Sequence, residues 1–410
     1  MGSRTGFTVF GFLFFISILA LLFLGQWFWI HAGFTAIRRV KSASWRHFLR
    51  AVLWAVTGWL GLTIADRLFL HILPRHGPAS WPLTATQLWL IPATFGALLI
   101  KSVQGVEWIW EYAIPKRSPE MQGPGEPEPA RRTFFRYAAG IAGLFPVVAA
   151  VYGFARERLD FRVRQIEIPL VNLPPALDGF RIAQLSDIHI GDFMPAAQVR
   201  RAVEMANALG GDIAFVTGDF ITGSHDPLET CIAELAGLKA PLGVWGCNGN
   251  HEIYAEAEET SRELFAKYGM RLLRQESTAL SWKGAAINLI GVDYQRQREP
   301  MLVGVETLVR HDMPNILLSH NPNTFNRAAE MGIELSLAGH THGGQVQVEI
   351  LDHRLSPARF ITRFISGLYS LPMNGGKSFL YVNRGIGTIA IPSRLGVDPE
   401  ITLITLRRQG

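Results

Sequence analysis

The run from Phe7 to Ile30 contains no charged side chain and is longer than the ~20 residues that cross the hydrocarbon core of a bilayer. It exceeds the core of a secretory signal, and no small-residue cleavage site follows it. A chain that starts this way is expected to enter a membrane. Three further apolar stretches follow: Ala51 to about Leu70, a segment centred on Leu88–Ile100, and Tyr137–Ala155 with Pro146 in its middle. All the long apolar runs lie before about residue 155, which explains how 48% apolar composition coexists with a globular remainder.

Charge divides the chain at the same place. Residues 1–164 hold 18 Lys/Arg against 8 Asp/Glu, and the remainder holds 21 against 26. The basic excess flanks the apolar runs, so it argues for a lipid bilayer and against nucleic acid as the partner. Basic loops are expected on the cytoplasmic side. Arg38, Arg39, Lys41, Arg46 and Arg50 mark one such loop, and Lys116, Arg117, Arg131, Arg132 and Arg136 mark another. That assignment makes a multi-pass membrane protein whose fourth helix delivers the globular part to the outer side; Arg156, Arg158, Arg162 and Arg164 directly after it argue the opposite. Arg131-Arg132-Thr133-Phe134-Phe135 reads equally as a twin-arginine export signal or as ordinary flanking charge. The segment Pro115–Pro129, rich in Pro, Gly and Glu, reads as a disordered loop. Asp66-Arg67 reads as a helix-end pair whose arginine snorkels to the headgroups. Cys231 and Cys247 cannot staple a domain of this length and read as buried small residues.

From Phe161 onward the texture is α/β. Arg181–Leu185, Ile213–Thr217, Gly243–Cys247, Ala286–Gly291, Asn315–Ser319 and Leu335–Ala338 read as strands. Pro195–Leu209, Leu228–Leu238, Ala255–Tyr268 and Asn323–Met331 read as helices. The chemistry stands at the ends of five of those six strands. Ser186-Asp187-Ile188-His189 follows the first, Gly218-Asp219 the second and Gly249-Asn250-His251-Glu252 the third. His320-Asn321 follows the fifth, and Gly339-His340-Thr341-His342-Gly343-Gly344 the sixth. Strand carboxyl ends are where open α/β sheets bind ligands. Oxygen and imidazole donors without thiolate suit hard-to-borderline divalent cations. Asp187-x-His189 and His340-x-His342 are each expected to place two donors on one side of an extended segment. Singly these motifs are common; the ordered set is not.

That ordered set, D-x-H, G-D, G-N-H-E, H and G-H-x-H, resembles the calcineurin-like metallophosphoesterase superfamily. The likeness covers roughly the last 250 residues, and the Tyr381–Gly387 segment resembles the membrane-linked branch. It implies a domain over residues 161–410 built as a sandwich of two mixed β-sheets flanked by helices. An all-α transmembrane region over residues 1–155 precedes it. It implies two divalent ions (Mn, Fe or Zn), one held by Asp187, His189, Asp219 and His342. Asp219 then bridges to a second held by Asn250, His320 and His340. His251 is expected to be the catalytic histidine, oriented by Glu252, and Arg384 to pair with a substrate phosphate. Relatives often carry an acidic residue shortly after G-D, where this chain reads Phe220-Ile221-Thr222-Gly223, which puts that loop's substrate contacts in question.

The expected activity is hydrolysis of a phosphodiester or pyrophosphate bond in a lipid or lipid-linked substrate. UDP-2,3-diacylglucosamine pyrophosphate cleavage is one candidate, and it requires a cytoplasmic site. A non-catalytic membrane scaffold with a relic fold should have lost ligands, and none is lost. Ser356–Tyr369 is expected to form either a basic amphipathic helix at a membrane surface or a core-packed segment.

Overall fold

The computed structural model describes residues 9–66, 70, 72–73, 80–113, 130–171, 173–296, 300–350, 353–355 and 362–409. The chain divides into two compact units, Met1–Tyr152 and Gly153–Gly410.

The first unit is helical: α1 (Val9–Arg38), α2 (Ala43–Ala65), α3 (Trp81–Ala113) and the body of α4 (Ala130–Ala155). All four are long and apolar enough to cross a membrane. Each continues beyond the apolar stretch read from the sequence at one end or both, because flanking polar residues remain helical once the core is set. Polar side chains pin α1 to α3. Gln26 donates to the Leu90 carbonyl and to Thr94 Oγ1, Trp89 donates to Gln26 Oε1 at 2.9 Å, and Trp29 donates to the Ala93 carbonyl at 2.7 Å. These bonds satisfy groups that lipid cannot. Asp66 accepts from the backbone of Ile72 and Leu73 and so serves the chain's own turn, while Arg67 lies outside the described residues. Arg131 and Arg132, in the first turns of α4, reach Glu111 of α3 at 3.0 and 3.7 Å. Almost all of the loop expected at 115–130 lies outside the described residues.

The second unit is a two-sheet sandwich. Its elements are β1 (Arg162–Val171), β2 (Arg181–Leu185), α5 (Ala196–Ala208), β3 (Ile213–Thr217), α6 (Leu228–Leu235), β4 (Val244–Cys247), α7 (Asn250–Tyr254), α8 (Glu258–Lys267) and β5 (Arg271–Leu272). They continue with β6 (Glu276–Trp282), β7 (Ala285–Gly291), β8 (Asn315–Leu318), α9 (Phe325–Glu330), β9 (Leu335–Ala338), β10 (Val348–Ile350) and β11 (His353–Leu355). The last are β12 (Gly367–Met373), β13 (Gly376–Val382) and β14 (Glu400–Gln409). One sheet has the order β1-β14-β2-β3-β4-β5 and the other β12-β13-β9-β8-β7-β6; β10 and β11 form a separate hairpin. Both six-stranded sheets are mixed, with parallel interiors.

Alternation along the strands sorts side chains between two cores. Ile182, Ile213 and Phe215 face the second sheet, where Leu289, Ile316, Leu318, Leu335 and Leu337 meet them. Ala183, Ala214 and Val216 face the helices. On α5, Val199, Ala202, Val203 and Ala206 recur at helical spacing on one buried face. Parallel strands covered on both sides need continuous apolar runs, and β2 and β3 supply them. The ends of these strands then open at one edge.

Two expectations need amendment. No helix occupies 362–369: Gly367, at φ +89°, turns the chain into β12, which pairs with β13. Phe364 is buried against Phe325 and Tyr369, the core-packed alternative; residues 356–361 lie outside the described set. The third predicted helix, Ala255–Tyr268, forms over Glu258–Lys267, and a separate short helix that the sequence did not announce, Asn250–Tyr254, precedes it after β4.

Candidate metal centre

The ligand-type residues sit in loops leaving β2, β3, β4, β8 and β9. These loops are not extended. Asp187, His189, Asp219, His340 and His342 have φ of 50°, 49°, 56°, 75° and 51°. Left-handed backbone at a non-glycine residue costs on the order of 1–3 kcal/mol and persists only where the surroundings over-determine it. The expectation that each D-x-H or H-x-H pair shares one side of an extended segment is therefore corrected. β2 ends at Leu185 and β9 at Ala338, and the donors converge through consecutive tight bends. Backbone bonds hold the bends together: Asp187 N–H donates to the Gly218 carbonyl and His189 N–H to the Asp219 carbonyl, both at 3.0 Å. Glycine is required where the loops touch. A Cβ on Gly339 would lie 2.2 Å from Asp187 Oδ2, and one on Gly249 would lie 2.1 Å from Asp219 Oδ1.

Two donor groups result. Asp187, His189, Asp219 and His342 bring ligand atoms within 4.8 Å of one another, and so do Asp219, His320 and His340. Asp219 belongs to both. Asn250 stands against the second group, its Oδ1 2.7 Å from His340 Nδ1.

The donors fit cations better than they fit each other. His189 Nε2 and His342 Nε2 face one another at 3.2 Å. His320 Nε2 lies 3.0 Å from Asp219 Oδ2 but off hydrogen-bonding geometry, and it is buried without a partner, as is His342 Nδ1. Buried polar atoms without partners are rare in native folds. Convergent imidazole and carboxylate groups of this kind match a dinuclear divalent-metal centre. His320 Nδ1 donates to the Thr217 carbonyl at 2.6 Å, which turns Nε2 inward as a ligand atom must be turned.

Burial and neighbouring charge act on these groups in opposite senses. Burial lowers His189 to about 3 and His340 to about 4, and it drives His342 well below the imidazole range, so these rings present lone pairs. Burial also opposes charge on His320, yet the Asp219 and Asp187 carboxylates raise it to about 10. Asp219 is likewise opposed by burial, but His320 holds it well below the carboxylate range. Burial raises Asp187 to about 6.

His251 lies beside this cluster, its ring centroid 4.8 Å from that of His189. Its Nδ1 donates to the Thr222 carbonyl at 2.7 Å. Glu252 does not orient it. The Glu252 carboxylate is buried and accepts from the backbone N–H groups of Asp219, Phe220 and Gly249 at 2.8–2.9 Å, tying the two ligand loops together. Arg384 is 8% exposed, and its Nε lies 3.4 Å from Glu400, a carboxylate shared with Arg164. Its guanidinium is thus engaged within the fold.

Three residues escaped the sequence reading. Thr222 also places its Oγ1 3.0 Å from His189 Nδ1. Arg394 is fully buried and donates to the carbonyls of Arg384, Gly385 and Gly387, bracing the loop whose Gly387 N–H holds the Asp187 carbonyl. Tyr294 follows β7, the one predicted strand with no ligand cluster. Its ring centroid lies 5.2 Å from that of His340, and burial raises its phenol to about 12. Only the last had a usable signal, its place at a strand end.

Comparison with known proteins points the same way. Residues 180–344 match the calcineurin-like phosphoesterase family. The chain is 31% identical over 287 residues to a transmembrane protein with metallophosphoesterase domain from Bos taurus, covering 65% of this chain and 62% of that one. It is 28% identical over 284 residues to the metallophosphoesterase YkuE of Bacillus subtilis, covering 68% and 98%. It is 25% identical over 232 residues to the phosphodiesterase YaeI of Escherichia coli, covering 55% and 82%. The matched region spans about 62% of the length of the bovine relative and of its Danio rerio counterpart.

Proposed function

We propose, from the premise that this chain belongs to the calcineurin-like phosphoesterase family, that it is a membrane-anchored, dinuclear-metal hydrolase. Its substrate is a phosphodiester or pyrophosphate in a lipid or lipid-linked molecule. The observation that carries this reading is the sharing of Asp219 between two convergent donor groups. Asp187, His189 and His342 would complete one ion site, and Asn250, His320 and His340 the other. Two divalent ions bound there would supply Lewis-acid polarisation of the phosphoryl oxygens and an acidified water.

The chain's own residues do the rest. Asp219 sets the spacing of the two donor groups, and Glu252 fixes the loops that carry Asp219 and Asn250. His251 is the proton donor to the leaving oxygen. With Nδ1 committed to the Thr222 carbonyl, Nε2 is the nitrogen available for that transfer.

Four helices long and apolar enough to cross a membrane favour a lipid substrate. Arg158, which follows the fourth apolar helix, donates to the Phe193 carbonyl four residues after ligand His189. The loop charges favour the outer side for this site.

The test is hydrolysis by the purified full chain in detergent with Mn²⁺ or Zn²⁺. Substrates are bis(p-nitrophenyl) phosphate, a nucleoside diphosphate sugar and phospholipid extract. Turnover that chelation abolishes and metal restores is expected. A protein with two ions bound and no turnover of any diester or pyrophosphate would overturn the reading.

A further inference from the structure

We propose that Tyr294 is a substrate-contacting residue, its hydroxyl donating to a phosphoryl oxygen of the bound ester; this rests on the hydrolase reading above. Five of the six strand ends predicted at this edge supply candidate metal ligands. The sixth, after β7, supplies Val292-Asp293-Tyr294. The Tyr294 ring stands over the second donor group, with centroids 5.2 Å from His340 and 6.1 Å from His320.

The backbone on both sides of this tyrosine is tied to the ligand-bearing loops. Asp293 accepts from Asn248 Nδ2 at 2.8 Å, two residues before Asn250, and from Arg274 Nη2 at 2.8 Å. The Gln295 carbonyl accepts from Asn321 Nδ2 at 2.6 Å, one residue after His320. The Gln295 side chain in turn donates to the Asp293 carbonyl and accepts from Leu302 N–H. A tyrosine bracketed this closely has little freedom to swing away. Its hydroxyl makes no hydrogen bond to any described residue and is open to solvent, while the ring is partly buried. A fixed, unpartnered O–H donor beside imidazoles that would hold a cation suits the oxygen of a phosphoryl group drawn to that cation.

The experiment uses the full chain loaded with Mn²⁺ and titrates inorganic phosphate calorimetrically, alongside Tyr294→Phe and Tyr254→Phe. Tyr254 also borders the site, beside His251, but is 66% exposed. Tyr294→Phe keeps the ring and loses only the hydroxyl. It should retain two ions and bind phosphate about 10- to 100-fold more weakly, as expected for one hydrogen bond to a charged group. KM for bis(p-nitrophenyl) phosphate should rise in parallel, and Tyr254→Phe should leave phosphate affinity unchanged. Unchanged affinity in Tyr294→Phe, loss of an ion from it, or equal weakening in both variants would overturn the assignment. Phosphate binding needs no turnover, so a wild-type chain that hydrolyses nothing would sink the hydrolase reading and leave this result interpretable.

Discussion

The Thr222 carbonyl accepts the Nδ1 proton of His251 at 2.7 Å, while the Thr222 hydroxyl lies 3.0 Å from Nδ1 of His189. One residue thus fixes the ring of the proposed proton donor and the ring of a proposed metal ligand. A carbonyl oxygen can only accept, so Nδ1 of His251 carries the hydrogen and Nε2 is left for chemistry. The Phe220–Gly223 segment therefore supports the site through Thr222.

The two neighbours on α7 should separate metal binding from proton transfer. His251→Ala should keep both ions and lower kcat by about 10²–10⁴-fold, the usual worth of a positioned acid. Excess Mn²⁺ should not rescue it, and the loss should shrink for a nitrophenyl leaving group. Asn250→Ala should weaken one ion and recover partly in excess Mn²⁺. Metal loss from His251→Ala would remove the acid assignment.

Asp219→Ala should lower occupancy of both ions together, because its carboxylate is common to the two donor groups. Metal analysis on the purified chain reads this directly. Loss of only one ion would show that the carboxylate is not shared.

Glu252→Ala should destabilise the apo domain by roughly 2–4 kcal/mol, since it strands several buried N–H donors at once. Urea unfolding of the metal-free protein measures it. Equal stability of variant and wild type would contradict the clamp.

Much of the catalytic edge was legible because its signals are local. The six predicted strands are formed at their predicted places, since buried parallel strands need short apolar runs that stand out against polar loops. The ligand residues follow those runs directly in sequence. What lay outside reach depends on distant partners. The ten residues of β14 take their place between β1 and β2 by pairing with segments more than two hundred positions away. The role of Glu252 is set by backbone groups of another loop, and the left-handed turns at Asp187 and His189 come from the Gly218–Phe220 loop against which they are zipped. Between the two readings of 356–369, the described residues 362–369 take the core-packed one, because Gly367 and the β13 edge outweigh the helical spacing of apolar and basic residues.

Cys231 and Cys247 are free and fully buried, and burial pushes both thiols above the usual range. Neither should react with maleimide in the native protein, and both should react in urea. Mass spectrometry after a labelling pulse counts the adducts. Rapid native modification of either would show that the core opens on the labelling timescale.

The side of the membrane on which the metal centre works is testable by fusion. The charges at Arg38, Arg39, Lys41, Arg46 and Arg50 predict a cytoplasmic α1–α2 turn, and those at Arg131, Arg132 and Arg136 predict the same for the start of α4. An alkaline-phosphatase reporter joined after Leu170 should then be active, and one joined after Val40 should be silent. A cytoplasmic fluorescent reporter at the same two junctions should give the reverse pattern. The arginines at 156, 158, 162 and 164 are the opposing charges. Arg158 is turned to the Phe154 and Phe193 carbonyls, and Arg162 pairs with Asp160 at 2.7 Å, which reduces their weight as free positive charge. A silent phosphatase at Leu170 with a fluorescent reporter active there would place the centre in the cytoplasm. It would then meet nucleotide-linked lipid precursors, and pyrophosphate cleavage would become the reading to pursue.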